Sequence, residues 1–257
     1  MKEEAVILGS GTSYGVPMVA CACPVCTSTD PKDARLRCSC WLKTGGKSLL
    51  IDVSPDFRIQ ALRAGIQHLD AVIITHVHAD HVFGMDDLRP LSLARSSPLP
   101  VFADARACNE LRQVFGYIFQ TTKRRQGVPW LELHEITPGQ PFWIGGVELV
   151  TAALPHGRGV TQAVRCGGFA WMTDFKELTH EAAELMQGLN TLALDMLREE
   201  PHGTHLCLAE ALGIRQKLGA PRTWFIHMGH EVSHRVLDEQ LPKDCALAWD
   251  GLTIPVS

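Results

Sequence analysis

The chain of 257 residues lacks long hydrophobic runs and an excess of positive charge. No apolar stretch approaches the roughly twenty residues that a membrane-spanning helix needs. The apolar run at residues 5–8 is too short for the core of a secretory signal, so we expect a cytoplasmic protein. The formal net charge of -4, from 28 acidic and 24 basic side chains, gives no general attraction for nucleic acid.

Two common catalytic motifs are also missing. The sequence contains neither the G-x-S-x-G elbow of serine hydrolases nor a phosphate-binding P-loop. No repeat, low-complexity segment or linker divides the chain, so we expect a single domain over residues 1–257. With 46% hydrophobic and 20% charged residues, the composition is that of a globular protein.

Short apolar runs alternate with amphipathic stretches along most of the chain, which predicts an α/β protein. Strands are predicted at residues 5–8, 39–44, 48–53, 71–75, 99–103, 147–153, 161–165, 169–173, 191–195 and 222–226. Helices are predicted at residues 55–64, 104–115, 179–187, 206–218 and 231–241, and residues 117–130 are predicted to be irregular. The first helix is expected to place Ile59, Leu62 and Ile66 on one apolar face.

A dense group of candidate metal ligands follows the strand predicted at residues 71–75. His76, His78, Asp80 and His81 bring three imidazoles and a carboxylate into six residues. Loops at strand ends are where α/β folds usually place their chemistry. A lone histidine is usually an ordinary surface or core residue, but four potential ligands at this spacing suit Zn, Mn, Fe or Ni and can hold two ions.

This segment resembles the H-x-H-x-D-H signature of the metallo-β-lactamase superfamily. The resemblance implies an αββα four-layer sandwich of two mixed β-sheets flanked by helices. Three further matches follow at the ends of predicted strands. The resemblance implies that one ion binds His76, His78 and His156, that the other binds Asp80, His81 and His227, and that Asp174 bridges them.

Two divalent ions, Zn or Mn, about 3.5–4 Å apart share and activate a water and neutralise a developing oxyanion. The candidate catalytic residues are Asp80 and His205. His205 resembles a histidine that the PhnP group, the phosphoribosyl cyclic phosphodiesterases of this superfamily, places beside the scissile phosphodiester. Thr204 is a candidate N-cap for the helix that follows. Asp195 is either a partner of a metal-bound histidine or an ordinary residue at a strand end.

Three of the nine cysteines, Cys21, Cys23 and Cys26, lie within six residues. In a reducing compartment, clustered cysteines bind metal or do chemistry more often than they form disulfides. Together with His230 they resemble the structural zinc site of the PhnP group, which implies one structural Zn and a zinc-binding loop at about residues 20–38. The alternative is a set of free thiols beside an exposed histidine.

The resemblance to the PhnP group, which consists of phosphoribosyl cyclic phosphodiesterases, begins with the glycine-rich segment at residues 9–17. It continues to residue 252 and departs at residues 95–130. It implies hydrolysis of a small ribose phosphate diester, such as 5-phosphoribosyl 1,2-cyclic phosphate, in phosphonate metabolism. The expected partner is a small phosphodiester rather than nucleic acid or a membrane, and a homodimer stays an open alternative.

Three other functions remain in view. An RNA-processing nuclease of the same superfamily is favoured by Lys123, Arg124 and Arg125, although basic triplets usually lie in solvated loops. Thioester and lactam hydrolases share the metal ligands but not the cysteine cluster. A non-catalytic or redox metal scaffold is disfavoured, because redox members typically carry glutamate where this chain has His78.

Overall fold

In the computed structural model, which describes residues 3–120 and 123–256, two mixed β-sheets pack face to face. In chain order the strands are β1 (Glu4–Gly9), β2 (Ser39–Thr44), β3 (Lys47–Ile51), β4 (Ala71–Ile73), β5 (Leu99–Asp104), β6 (Leu131–Ile136), β7 (Pro141–Ile144), β8 (Val147–His156), β9 (Gly159–Cys166), β10 (Phe169–Met172), β11 (Thr191–Asp195), β12 (Thr223–Ile226), β13 (Cys245–Leu247) and β14 (Thr253–Pro255). The first sheet has the order β14-β1-β2-β3-β4-β5-β6, and the second has the order β13-β12-β11-β10-β9-β8-β7.

Helices cover the outer faces of both sheets. They are α1 (Phe57–Ala64), α2 (Ala79–Val82), α3 (Arg89–Leu93), α4 (Ala105–Val114), α5 (Gly116–Phe119), α6 (His180–Leu185), α7 (Leu208–Leu218) and α8 (His234–Asp238), with 3-10 turns at Pro31–Asp33 and Met85–Leu88. Within the described ranges, none of these helices has the length and apolar character needed to cross a bilayer.

Three apolar clusters fill the spaces between these layers. The central cluster joins the inner faces of the two sheets and contains Ile7 from the first sheet and Trp171 from the second, both fully buried. A second cluster packs helices, including α4 through Leu111, onto the first sheet. A third packs α6 and α7 onto the second sheet through Ala182 and Ala211. This layering confirms the predicted αββα four-layer sandwich.

Parallel strands determine where the polar residues gather. Strands β3 to β6 run parallel, and so do β10 to β13. The C-terminal ends of parallel strands lie at the same edge of a sheet. His76 comes shortly after β4, Asp174 shortly after β10, and His227 directly after β12. The candidate site therefore forms where the C-terminal edges of the two sheets meet.

The predicted strands and the hairpin turn at residues 45–46 are present. Of the apolar face predicted for the first helix, Ile66 is buried, but the prediction was wrong for Ile59 and Leu62. Ile59 and Leu62 are 43% and 68% exposed, whereas Phe57 and Gln60 are buried. Gln60 can be buried because both ends of its amide are hydrogen-bonded: Oε1 accepts from Ser54 Oγ at 3.0 Å, and Nε2 donates to the Arg37 carbonyl at 2.8 Å. A buried polar group tolerates burial when it is hydrogen-bonded, and apolar periodicity does not detect such groups.

Other differences concern element ends. The segment predicted to be irregular contains α5, and its residues 121–122 lie outside the described residues. The helix predicted at residues 231–241 is shorter, since α8 ends at Asp238. Thr204 is not an N-cap, because α7 begins after Cys207, which takes part in a capping box with Glu210. Strands β6, β7, β13 and β14 were not predicted; β7, β13 and β14 are only three or four residues long, whereas the alternation of Leu131 and Leu133 with polar residues in β6 was missed.

Candidate metal centre

Three histidines form the first half of the candidate centre. His76 and His78 lie in the loop after β4, and His156 is the last residue of β8. One ring nitrogen from each lies within 4.8 Å of those of the other two. His156 Nε2 is 3.3 Å from His78 Nδ1, and the rings of His76 and His78 meet edge to face at 4.5 Å. The structure thus brings together the three residues that the resemblance assigned to one ion.

Two carboxylates and two histidines, all buried, form the second half. His81 Nε2 lies 3.1 Å from Asp80 Oδ2 and 3.2 Å from Asp174 Oδ2. His227 Nε2 lies 3.2 Å from Asp174 Oδ1 and 3.7 Å from Asp80 Oδ2. These four residues are the predicted ligands of the second ion together with the predicted bridge.

Asp174 also faces the first half. Its Oδ1 atom is 4.0 Å from His156 Nε2, while the same carboxylate contacts His81 and His227. The side chain is buried, so water does not compensate its charge. One carboxylate therefore lies between the two groups of histidines, as a bridging ligand requires.

The hydrogen bonding of these side chains fits divalent ions. Four buried ligand atoms have no hydrogen-bond partner among the described residues: His76 Nε2, Asp80 Oδ2, His81 Nε2 and His227 Nε2. Buried polar atoms are nearly always satisfied, so these four, each in one of the two groups of candidate ligands, indicate partners that the protein itself does not supply. Ligands bonded at 2.0–2.2 Å to one tetrahedral ion lie about 3.3–3.6 Å from one another. The separations observed here, 3.1–3.7 Å within the second half of the centre and 3.3 Å between His156 and His78, are close to that range.

The charges around the centre also favour cations. Burial favours the neutral ring of His81, but Asp80, Asp174 and Asp52 raise its pKa well above the usual value. Burial of His227 is likewise outweighed, first by Asp174, and its pKa rises to about 9. Burial disfavours the charged carboxylate of Asp174, but His227 and His81 lower its pKa well below the usual range. The pKa of Asp80 is lowered as well, since His81 and His227 outweigh its burial, so the carboxylates of Asp80 and Asp174 stay ionised and attract positive charge.

Asp52 holds His81 in place and was not found from the sequence. Its Oδ2 atom is 2.7 Å from His81 Nδ1, and the carboxylate also accepts from the backbone N–H and the hydroxyl of Thr75 at 2.8 Å each. A proton on Nδ1 leaves the Nε2 lone pair directed at the centre. Asp52 directly follows β3, which is parallel to β4, so its position at the same edge of the sheet as His76 could have identified it from the sequence.

Asp195 connects several parts of the centre. Its Oδ1 atom accepts from the Asp174 N–H at 3.2 Å and lies 3.4 Å from His227 Nδ1 and 3.6 Å from His205 Nδ1. Its Oδ2 atom accepts from the Leu206 N–H at 3.1 Å. The position of Asp195 fits the first of its two interpretations, a partner of a candidate metal-binding histidine.

Three of these residues have left-handed backbone conformations, which are uncommon for side chains other than glycine. The φ angles are 62° for Asp52, 58° for Asp174 and 63° for His227. Each such conformation costs on the order of 1–3 kcal/mol and persists only where surrounding contacts hold it. Each of the three follows a strand closely, so the chain turns sharply there and directs its side chain into the centre.

His205 lies beside the centre, as predicted. Its ring stacks on that of His227 with centroids 4.9 Å apart and an interplanar angle of 15°. Its buried Nδ1 atom faces Asp195 and lies 3.9 Å from Asp174 Oδ1. Lys176 Nζ donates to the His205 carbonyl at 3.3 Å and is itself paired with Glu210. The His205 side chain is 13% exposed and contributes to the lining of the cleft beside the centre.

The cysteine cluster forms a separate group. His230 Nδ1 lies 3.3 Å from Cys21 Sγ and 3.4 Å from Cys23 Sγ, and Cys26 completes a set whose ligand atoms lie within 4.8 Å of one another. The hydrogen bond from the Cys26 N–H, followed by that with His230, lowers the pKa of Cys23 to about 6. Three sulfurs and one imidazole form the ligand set of a closed tetrahedral zinc site.

A cleft of about 370 Å³ opens beside the centre. Its lining residues include His76, His78, Asp80, His156, Asp174, His205 and His227, together with Arg106 and Arg158. The basic triplet does not belong to this lining in the described part of the chain. Arg124 instead donates to the Leu93 carbonyl at 2.5 Å and lies over the Trp130 ring.

Replacing Asp52 should weaken metal binding without removing a ligand. In Asp52→Ala the His81 ring loses the acceptor that orients it, and partners of this kind typically contribute 10–100-fold in affinity. We expect a loss of that size in competition with a chromophoric chelator. Asp87→Asn, an exposed carboxylate, serves as the control. Equal affinities in the two variants would contradict a role for Asp52 in orienting His81.

Replacing one cysteine should remove one zinc and lower stability. Cys23→Ser should contain about one equivalent less Zn by elemental analysis and lose several kcal/mol of unfolding free energy, because a closed zinc site contributes folding energy. Cys207→Ser is the matched control, since serine is also a good N-cap and the residue lies outside the cluster. An unchanged zinc content and melting temperature in Cys23→Ser would rule out this second site.

Comparison with known proteins shows the family. The model of the beta-lactamase superfamily domain matches residues 47–228. A crystal structure of a diphosphatase from the PhnP family is 40% identical, with a TM-score of 0.91 over 99% of this chain and 97% of that one. Zn-bound PqqB from Methylobacterium extorquens shares the fold at 20% identity, with a TM-score of 0.77 over 98% of this chain and 99% of that one.

A curated relative from Porphyromonas gingivalis is an octanoyltransferase. It is 38% identical over 252 residues, which is 97% of this chain. The match covers 51% of that protein, so this chain spans about half of its length. Together with the domain match and the similarity to the PhnP-family structure, this establishes that the chain belongs to the metallo-β-lactamase superfamily.

Proposed function

We propose that this hydrolase-type protein is a binuclear metal-dependent phosphodiesterase that cleaves a small ribose phosphate diester, cyclic diesters included. The observation that carries the proposal is the position of Asp174 between two groups of histidines, with His205 beside it in an open cleft. Membership of a superfamily that is usually hydrolytic gives the reaction type. The choice of a phosphorus substrate is supported by the likeness to a PhnP-family diphosphatase.

The residues would divide the work as follows. His76, His78 and His156 would hold one ion, Asp80, His81 and His227 the other, and Asp174 both. Two divalent ions, Zn or Mn, activate water and neutralise charge on the phosphoryl group. Asp52 and Asp195 orient the imidazoles, and His205 is placed to hold a proton for the departing oxygen. The Cys21, Cys23, Cys26 and His230 group would hold a structural Zn away from the reaction.

The size of the cleft favours a small substrate. About 370 Å³ lies in the range of small-molecule sites. A nuclease needs an extended basic surface to follow an RNA backbone. Within the described part of the chain, Lys123, Arg124 and Arg125 are absent from the lining of the cleft, and Arg124 packs on the Leu93 carbonyl and Trp130. These contacts weigh against the nuclease alternative.

A second candidate is hydrolysis of a diphosphate, since the PhnP-family protein that is 40% identical to this chain is a diphosphatase. The two reactions differ in the leaving group. A sugar alkoxide is a poor leaving group and needs a proton, whereas a phosphate departs readily without one. The same metal centre serves either reaction, so the need for His205 separates them.

A substrate panel tests the proposal. Metal-loaded protein would be assayed with cyclic, linear and nitrophenyl diesters, a diphosphate, an octanoyl thioester, a lactam and unprocessed tRNA. We expect turnover of diesters and loss of that turnover in Asp174→Ala. Cleavage of tRNA or thioester alone would replace the proposal, and bound metal without any turnover would indicate a non-catalytic scaffold.

His205 should act as the acid for poor leaving groups. His205→Ala should keep its metal content and lose about 10²–10⁴ in kcat on an alkyl or cyclic ribose diester, the usual contribution of proton transfer. On a nitrophenyl diester the loss should be much smaller, because that group leaves without a proton. His202→Ala, a neighbouring histidine that contacts the His205 ring at 5.3 Å, is the control. Equal losses on both substrates would end the acid assignment.

A further inference from the structure

Two arginines that have no role in the proposed reaction line the cleft. Arg106 lies in the first turn of α4, and Arg158 lies in the turn between β8 and β9, two residues after His156. Both side chains are exposed to the cleft.

The guanidinium of Arg106 is held close to the turn that carries Arg158. Its Nε donates to Glu110 Oε1 at 2.8 Å, one helical turn along α4. A Cβ atom at Gly159 would lie 3.3 Å from Nη1 and 3.5 Å from Nη2 of Arg106. Glycine at this position permits the guanidinium to pass over the backbone. The two arginines therefore belong to one wall of the cleft.

The donors on this wall are free for a ligand. Within the described ranges, the two terminal nitrogens of Arg106 have no protein acceptor, and Arg158 makes no hydrogen bond or ion pair. The neighbouring carboxylate of Asp104 is already used: Oδ1 accepts from the Ala107 N–H at 2.7 Å and Oδ2 from the Gln162 amide at 2.8 Å. Glu110 bonds only the Nε edge of Arg106.

Guanidinium groups bind phosphate through paired N–H donors in a plane, which gives both energy and orientation. The ions of the proposed metal centre would supply positive charge for the phosphoryl group that reacts. A second cationic wall, close to His156 along the chain, suits a second anion on the same small molecule. Arg158 lies two residues after His156, and two residues of extended chain span at most about 7 Å. An arginine side chain and a phosphorylated pentose are each long enough to cover that distance.

We propose that Arg106 and Arg158 are specificity-determining residues, which bind a second, non-scissile phosphate group of the substrate. This inference rests on the proposed function. The second phosphate has two sources: the terminal phosphate of a phosphorylated sugar diester, or the distal phosphate of a diphosphate. Both offer the same dianionic oxygens to the wall.

Matched substrates test the proposal. One pair is ribose 1,2-cyclic phosphate with and without a 5-phosphate, and the other is a nucleoside diphosphate with and without a methyl ester on its distal phosphate. We expect wild-type kcat/KM to favour the free phosphate by about 10- to 100-fold in the pair that matches the true source, mainly through KM. Arg106→Gln and Arg158→Gln should each remove most of this preference. Arg112→Gln, an exposed arginine on the same helix, should retain it.

Binding separates this inference from the proposed function. The Kd of ribose 5-phosphate, measured by calorimetry against ribose, should rise about tenfold or more in Arg106→Gln and in Arg158→Gln, but not in Arg112→Gln. Wild-type protein that cleaves neither pair would refute the proposed function, and the binding data would still decide the subsite. An unchanged Kd in the double variant, or an unchanged substrate preference, would overturn the subsite.

Discussion

The interaction on which the rest of the site depends is the placement of one buried carboxylate, Asp174, against histidines from both sheets. Its oxygens face His81 and His227 at 3.2 Å and His156 at 4.0 Å. Such a cluster is costly for a protein that contains only its own charges, because buried ionised groups lose hydration. The left-handed backbone at Asp174 adds to that cost. Bonds to divalent ions would offset the cost of the buried charges and of the left-handed backbone. The cluster is therefore physically reasonable as a metal centre.

The candidate zinc site and the candidate metal centre share one short segment. His227 belongs to the centre and His230 to the cysteine cluster. The buried Arg35 donates to the carbonyl of Gly229, which lies between these two histidines, at 3.0 Å, and to that of Val232, two residues after His230, at 2.7 Å. The backbone of Met228 is also bonded on both sides, to Ser10 and Thr12. The cysteine loop therefore stabilises the same segment that positions His227.

Much of this arrangement could be predicted from the sequence, because apolar runs that end in histidine or aspartate identify both the strands and their chemical ends. His76 and its neighbours were recognisable by their density, and His156, Asp174 and His227 by their order after strands. Asp52 and the wall formed by Arg106 and Arg158 were not predictable in this way. Their roles depend on contacts between residues distant in sequence, such as Asp52 with His81 and Arg106 with Gly159. Apolar periodicity also failed at α1, where hydrogen bonds bury Gln60.

The central claim is that two ions share Asp174, and anomalous diffraction from crystals of the Mn-loaded protein tests it most directly. The account predicts two anomalous peaks about 3.5–4 Å apart, a separation typical of two-metal hydrolytic sites. The peaks should lie on either side of the Asp174 carboxylate, one among His76, His78 and His156 and the other among Asp80, His81 and His227. A single peak, or two peaks that Asp174 does not join, would contradict the account.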